Sequence, residues 1–69
     1  MYNILAAYNQ SDLNEHGAIA GDVCLTLMQA KKQARYFLTK EYQRATEMTN
    51  SLGYAQVRKD DEVILDFFA

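Results

Sequence analysis

The stretch Thr26–Gly53, TLMQAKKQARYFLTKEYQRATEMTNSLG, decides what kind of domain this chain forms. Thr26 offers a hydroxyl to the unpaired amides of a first helical turn. Behind it Leu27, Ala30, Ala34, Phe37, Leu38, Ala45, Met48 and Leu52 fall within roughly a third of the circumference at helical spacing. Gln29, Lys32, Gln33, Tyr36, Lys40, Gln43 and Glu47 take the opposite arc. Gly53 suits a left-handed residue just past a helix end, with Tyr54 as the apolar residue that closes it. The spacing therefore predicts a long helix. Glu41 interrupts the apolar stripe, so the helix bends there or gives way to a second helix near Thr39, which would cap it. The remaining reading makes Gln43 to Asn50 a strand, since Arg44, Thr46, Met48 and Thr49 are not strong helix formers.

Outward from this segment the chain reads as strands. Tyr2 to Tyr8 alternates, with Tyr2, Ile4, Ala6 and Tyr8 on one side and Asn3, Leu5 and Ala7 on the other. Asn9, Gln10, Ser11 and Asp12 end it with turn chemistry. A connection containing Gly17 and Gly21 follows, with room for one helical turn starting after Ser11 or Asp12. Asp22 to Leu25 is the candidate second strand. At the other end Tyr54 to Arg58 and Val63 to Phe68 form a hairpin around Lys59, Asp60, Asp61 and Glu62. Asp61 stands where a tight turn prefers glycine, and Asp tolerates a left-handed backbone.

These elements predict a single α+β domain over residues 1–69. It has two layers, an antiparallel sheet of three or four strands packed on one long helix, intact or broken. Ile4 or Leu5, Ala55, Val57, Val63, Leu65 and Phe67 should meet the stripe of Leu27, Ala34, Leu38 and Ala45. The far face of the sheet should then show Tyr2, Tyr8, Tyr54, Ile64 and Phe68. An apolar patch of that kind marks a protein interface, and rings that are apolar on the body and polar at the tip suit one.

Composition narrows the functional classes. With 69 residues, 49% of them hydrophobic, and a net charge of −2, the chain is a small globular domain with little core, for which homodimerisation is the natural support. Cys24 is the only cysteine, which excludes an internal disulfide. That, and the absence of a recognisable leader, points to the cytoplasm. No apolar run reaches membrane-spanning length. Catalytic chemistry has few candidates: His16 and Cys24 are the sole residues of their types, and the glycines at 17, 21 and 53 make no phosphate loop. Neither a metal nor another cofactor is expected, because a zinc site needs more ligands of the preferred types. Asp60, Asp61, Glu62 and Asp66 lack the ligand spacing of a calcium loop and read as a solvated turn.

Positive charge is concentrated, because five of the seven Lys and Arg residues lie between Lys31 and Arg44. Lys31, Lys32, Arg35 and Tyr36 are the candidate nucleic-acid contacts, as cations one turn apart beside an aromatic ring suit phosphates and a stacked base. An acidic chain argues for the other class. A non-enzymatic module that binds a protein partner is the leading expectation.

Thr26-Leu27, Ala30-Lys31 and Ala34, opening a helix after a short strand and followed by a terminal hairpin with an acidic turn, form a further pattern. It resembles small phage and prophage proteins of the type I-F anti-CRISPR kind. The likeness covers about nine residues plus the order of elements, and after Leu38 the chain departs from it by reading as more helix instead of strand. The resemblance implies a phage or mobile-element protein that acts by covering a partner's surface, and it carries over no functional residue.

Overall fold

The computed structural model describes all 69 residues. Strand β1 (Tyr2–Ala7) leads into helix α1 (Gln10–His16) and strand β2 (Ala20–Cys24), then helices α2 (Leu27–Phe37) and α3 (Lys40–Ala45), and finally strands β3 (Tyr54–Lys59) and β4 (Glu62–Phe68). The four strands make one antiparallel sheet in the order β2-β1-β3-β4. The α+β class and the four strands agree with the sequence. The single long helix is replaced by two.

Thr39 is the reason for the break. Its hydroxyl donates to the Tyr36 carbonyl at 2.7 Å and accepts from the Tyr42 amide at 3.2 Å, so one side chain ends α2 and starts α3. The new helix is out of phase with the old. Glu41 thus lies exposed in the first turn of α3, where a carboxylate suits the helix dipole, instead of projecting into the core. Ala45 is exposed for the same reason.

The chain then stops being helical at Ala45, seven residues before the predicted end at Leu52. Glu47, at φ 56, is the left-handed residue, and the bonds Glu47 N to Arg44 O (3.2 Å) and Met48 N to Gln43 O (3.1 Å) complete a Schellman closure. Half-buried Met48 is the apolar residue that accompanies it. Residues 46–53 contain no strand. Gln43 holds this loop by accepting a hydrogen bond from Ser51 Oγ.

Gly53 has a different task from the one its neighbours suggest. Its N–H donates to the Ala7 carbonyl and its own carbonyl accepts from the Ala69 amide, each at 3.1 Å. A Cβ at this position would lie 2.5 Å from the Tyr8 carbonyl oxygen, well inside contact distance. Glycine is required by proximity, not by a left-handed backbone.

One sheet face carries α2. Ile4, Ala6, Ala55 and Val57 meet Ala30, Ala34, Phe37 and Leu52 there, with Leu65 and Phe67 half-buried at the side. Half of the twelve buried apolar residues are alanines, so helix and sheet approach closely but each pair buries little area. The other face is not bare throughout. Helix α1, capped by Asn9 accepting from the Asp12 amide at 2.8 Å, lays Leu13 on Ala7 and Tyr54. The two-layer expectation is corrected accordingly: a short third element covers one end of the far face.

Two substitutions test this account. Gly53→Ala is expected to destabilise the fold by about 2 kcal/mol or more, because backbone must move to admit the methyl group. In the β3–β4 turn both Asp60 (φ 53) and Asp61 (φ 66) are left-handed, so Asp61→Gly is expected to raise stability by roughly 0.5 kcal/mol or more. Urea denaturation measures both; a neutral Gly53→Ala or a destabilising Asp61→Gly contradicts the geometry.

Candidate functional site

The five residues expected on the far face do not share one surface. Tyr2 lies on the α2 side, half-buried against the main core with Lys59 Nζ 5.3 Å from its ring centroid. Its alternation with Ile4 and Ala6 requires this. Tyr8 is partly exposed just beyond β1, with its carbonyl against Gly53. Tyr54 is on the far face but completely buried, under Leu13 and beside Phe68, whose ring centroid is 5.2 Å away. Only Ile64 and Phe68 are both exposed and carried by one strand, four residues apart on β4.

Val63 joins them, although its spacing placed it in the core. Val57 pairs with Leu65 and Arg58 with Val63, so Ile64 is an extra residue that makes a β-bulge. The bulge carries Val63 out of step with Leu65 and Phe67. Val63, Ile64 and Phe68 are consequently 42%, 41% and 67% exposed on the outermost strand. That strand has no neighbour on its outer side.

Behind this strip runs a chain of polar groups, buried at Tyr54 and Gln56 and ending in half-buried Arg58 and exposed Asp66. Arg58 Nε donates to Gln56 Oε1, Gln56 Nε2 donates to Tyr54 Oη at 3.0 Å, and the Tyr54 hydroxyl donates to Asp66 Oδ1. The order of donors is forced by its ends, since a guanidinium only donates and a carboxylate only accepts. Gln56 is the sole buried polar residue and every buried polar side-chain atom has a partner. Burial holds the Tyr54 phenol above its ordinary range, and its bond to the Asp66 carboxylate adds to the effect. Neither Gln56 nor Tyr54 was singled out as part of such a chain from sequence. Their spacing, with Arg58, on one face of an alternating strand is the signal that would have found it.

The basic residues remain on the outer side of α2. Lys32, Arg35 and Tyr36 are exposed and Lys31 is half-buried. Arg35 lies over the Phe67 ring at 5.5 Å, and Tyr36 meets Tyr42 edge-on at 5.4 Å. The sole ion pair in the structure is His16 with Glu15 at 3.7 Å, so no cation of α2 or α3 has a carboxylate within 4.0 Å.

His16 and Cys24 are not brought together. His16 ends α1 on the far face, whereas Cys24 packs toward the α2 core at the opposite end of β2, about 13 Å along the strand from Ala20. Burial, then the nearby Asp22 charge, pushes the Cys24 thiol up, the opposite of what a nucleophile needs. No helix is long and apolar enough to cross a membrane.

Tyr54→Phe is expected to cost about 1–3 kcal/mol, since it leaves the buried Gln56 Nε2 without its partner, while the exposed Asp66 carboxylate turns to water. A phenol whose folded value is raised favours folding below its unfolded value of about 10 and stops doing so as pH rises through the folded value. The wild type should therefore lose stability above pH about 10 more steeply than the variant. Denaturation across that range checks it; parallel curves would show that the phenol is not held neutral.

No protein-family model, curated protein or solved structure is found to match this chain.

Proposed function

We propose that the chain is a non-enzymatic protein-binding module that works through the outer edge of β4. The observation that carries this reading is a seven-residue edge strand, paired to β3 on one side and open on the other, bearing three exposed apolar side chains. Unpaired N–H and C=O groups on a sheet edge accept an additional strand, and apolar side chains beside them give the pairing its area. The overall surface does not call for a partner. At 4593 Å² it is close to the roughly 4400 Å² expected of a folded monomer of 7.9 kDa. It is the placement of Val63, Ile64 and Phe68 together that does.

Charge selects the kind of partner. From Asp60 to the C-terminus the chain carries Asp60, Asp61, Glu62 and Asp66 and no cation. Pairing this strand with a second copy of itself sets carboxylates along both strands. A basic extended segment of another protein satisfies both the edge and the charge. The bulge at Val63–Ile64 twists the first half of β4, so the regular half, Leu65 to Phe68, is where such a segment begins to pair.

A second reading uses the opposite layer. Lys31, Lys32, Arg35, Lys40 and Arg44 are unpaired by carboxylates, which leaves them available to phosphates, with Tyr36 beside them.

The two readings separate in one set of titrations followed by amide NMR. An alternating Lys-Val peptide should shift β4 resonances, more weakly in high salt, and should lose that effect with Ile64→Asp or Phe68→Asp. A single-stranded oligonucleotide that instead shifts α2, and fails to do so with Lys31→Glu and Arg35→Glu together, would favour the second reading. A peptide that leaves β4 unmoved sinks the first. Sizing at increasing concentration tests self-association directly, and a dimer abolished by Phe68→Asp would assign the edge to a second copy.

A further inference from the structure

The far face also contains a concavity in which the β4 strip takes no part. Of about 430 Å³, it is lined by Asn3 and Leu5 of β1, Gly21 and Val23 of β2, Arg58 of β3 and Asp61 of the turn. Ile4 and Asp22 also line it; Ile4 is wholly buried in the α2 core, and the Asp22 carboxylate is engaged by the Val23 amide at 2.7 Å. Gly21 leaves a dimple between Leu5 and Val23. A Cβ there would sit 3.1 Å from the Ile4 carbonyl oxygen and 3.7 Å from Leu5 Cδ2. One guanidinium, one carboxylate and two apolar side chains therefore face a common space.

Arg58 is the fixed member of this group. Its Nε is held by Gln56 Oε1, and Gln56, 3% exposed, is held in turn by Tyr54 and through it by Asp66. A guanidinium pinned at Nε gives up little freedom when its other nitrogens are engaged. Those nitrogens have no acceptor in the protein, and no carboxylate, Asp61 included, comes within 4.0 Å of them. The two Nη groups form a planar fork that matches the two oxygens of a carboxylate.

We infer that this concavity binds an α-carboxylate carried next to an apolar side chain. The carboxylate meets the free Nη groups of Arg58, the ligand's α-nitrogen donates to Asp61 at the rim, and the apolar side chain rests on Leu5, Val23 and the space above Gly21. Free apolar amino acids and the C-terminal residue of a protein share this chemistry. The site is separate from the β4 edge and stands whether or not that edge binds a partner.

The probes are N-acetyl-leucine, N-acetyl-leucinamide and a short peptide ending in leucine, each titrated into the intact protein with amide and Arg Nε–H NMR as the readout. N-acetyl-leucine should shift Asn3, Leu5, Gly21, Val23 and the Arg58 Nε–H together, and the amide should bind about tenfold more weakly or worse. Arg58→Gln should bring acid and amide to equal affinity. A peptide that binds more tightly than N-acetyl-leucine identifies a chain terminus as the source; equal binding identifies a small molecule. Acid and amide binding equally to the wild type would overturn the proposal, as would shifts outside the concavity or none. That comparison needs no variant, so it holds even where Arg58→Gln fails to fold.

Discussion

The arrangement of the sheet depends on a contact that only glycine allows. At Gly53 the chain returns from the helices and passes so close to the end of β1 that a single added carbon would collide with the Tyr8 carbonyl. The Gly53 N–H is bonded to Ala7 and its carbonyl to Ala69, so one residue ties the start of β3 to the end of β1 and the end of β4. With those three points joined, the β1–β3 register is set, and with it the assignment of Tyr54, Gln56 and Arg58 to the face opposite α2. A shift by one residue would exchange the two faces of β3 and bury Arg58 against α2.

Much of this was legible in the sequence where a residue has one physical use. Thr26 and Thr39 cap helices because a hydroxyl after an extended residue has few other partners, and both do so here. Asp61 takes the left-handed place in the hairpin turn, and Asp60 takes the other. What was not legible follows from residues with two uses. Gly53 fits either a helix terminus or a tight crossing, and local sequence cannot distinguish them because the atom it avoids, the Tyr8 oxygen, is 45 positions earlier in the chain. Val63 alternates correctly with Leu65 and Phe67, and only the bulge, a property of the β3 pairing, puts it out of the core. Tyr54 has the amphipathic character of an interface residue, yet its hydroxyl finds Asp66 on the next strand and the ring needs no solvent.

The charge distribution acquires a spatial meaning once the layers are known. Five of the seven cations lie on the two helices of one layer and Arg58 and Lys59 on β3, whereas Asp60, Asp61, Glu62 and Asp66 lie on the outer turn and β4, and the two sets do not pair. Unpaired surface charges contribute little to stability in either case. Their value is in steering, since two patches of opposite sign present different faces to different partners. The contact that bridges the two sides is Arg35 over Phe67, which uses the stem and face of the guanidinium and leaves its charge at the surface.

The buried polar chain is the feature the fold needs least. A core with so few large side chains would gain from apolar groups at Gln56 and Tyr54, because a hydrogen-bonded polar pair in a protein interior adds little over well-packed hydrocarbon. What the chain does accomplish is directional. It begins at a carboxylate that only accepts, passes through two groups whose orientation is then determined, and ends by holding the Nε of an arginine whose remaining nitrogens have no protein partner. An apolar core would leave that arginine mobile. The polar interior of this face is therefore best understood as the support of Arg58 at its margin, not as a source of stability.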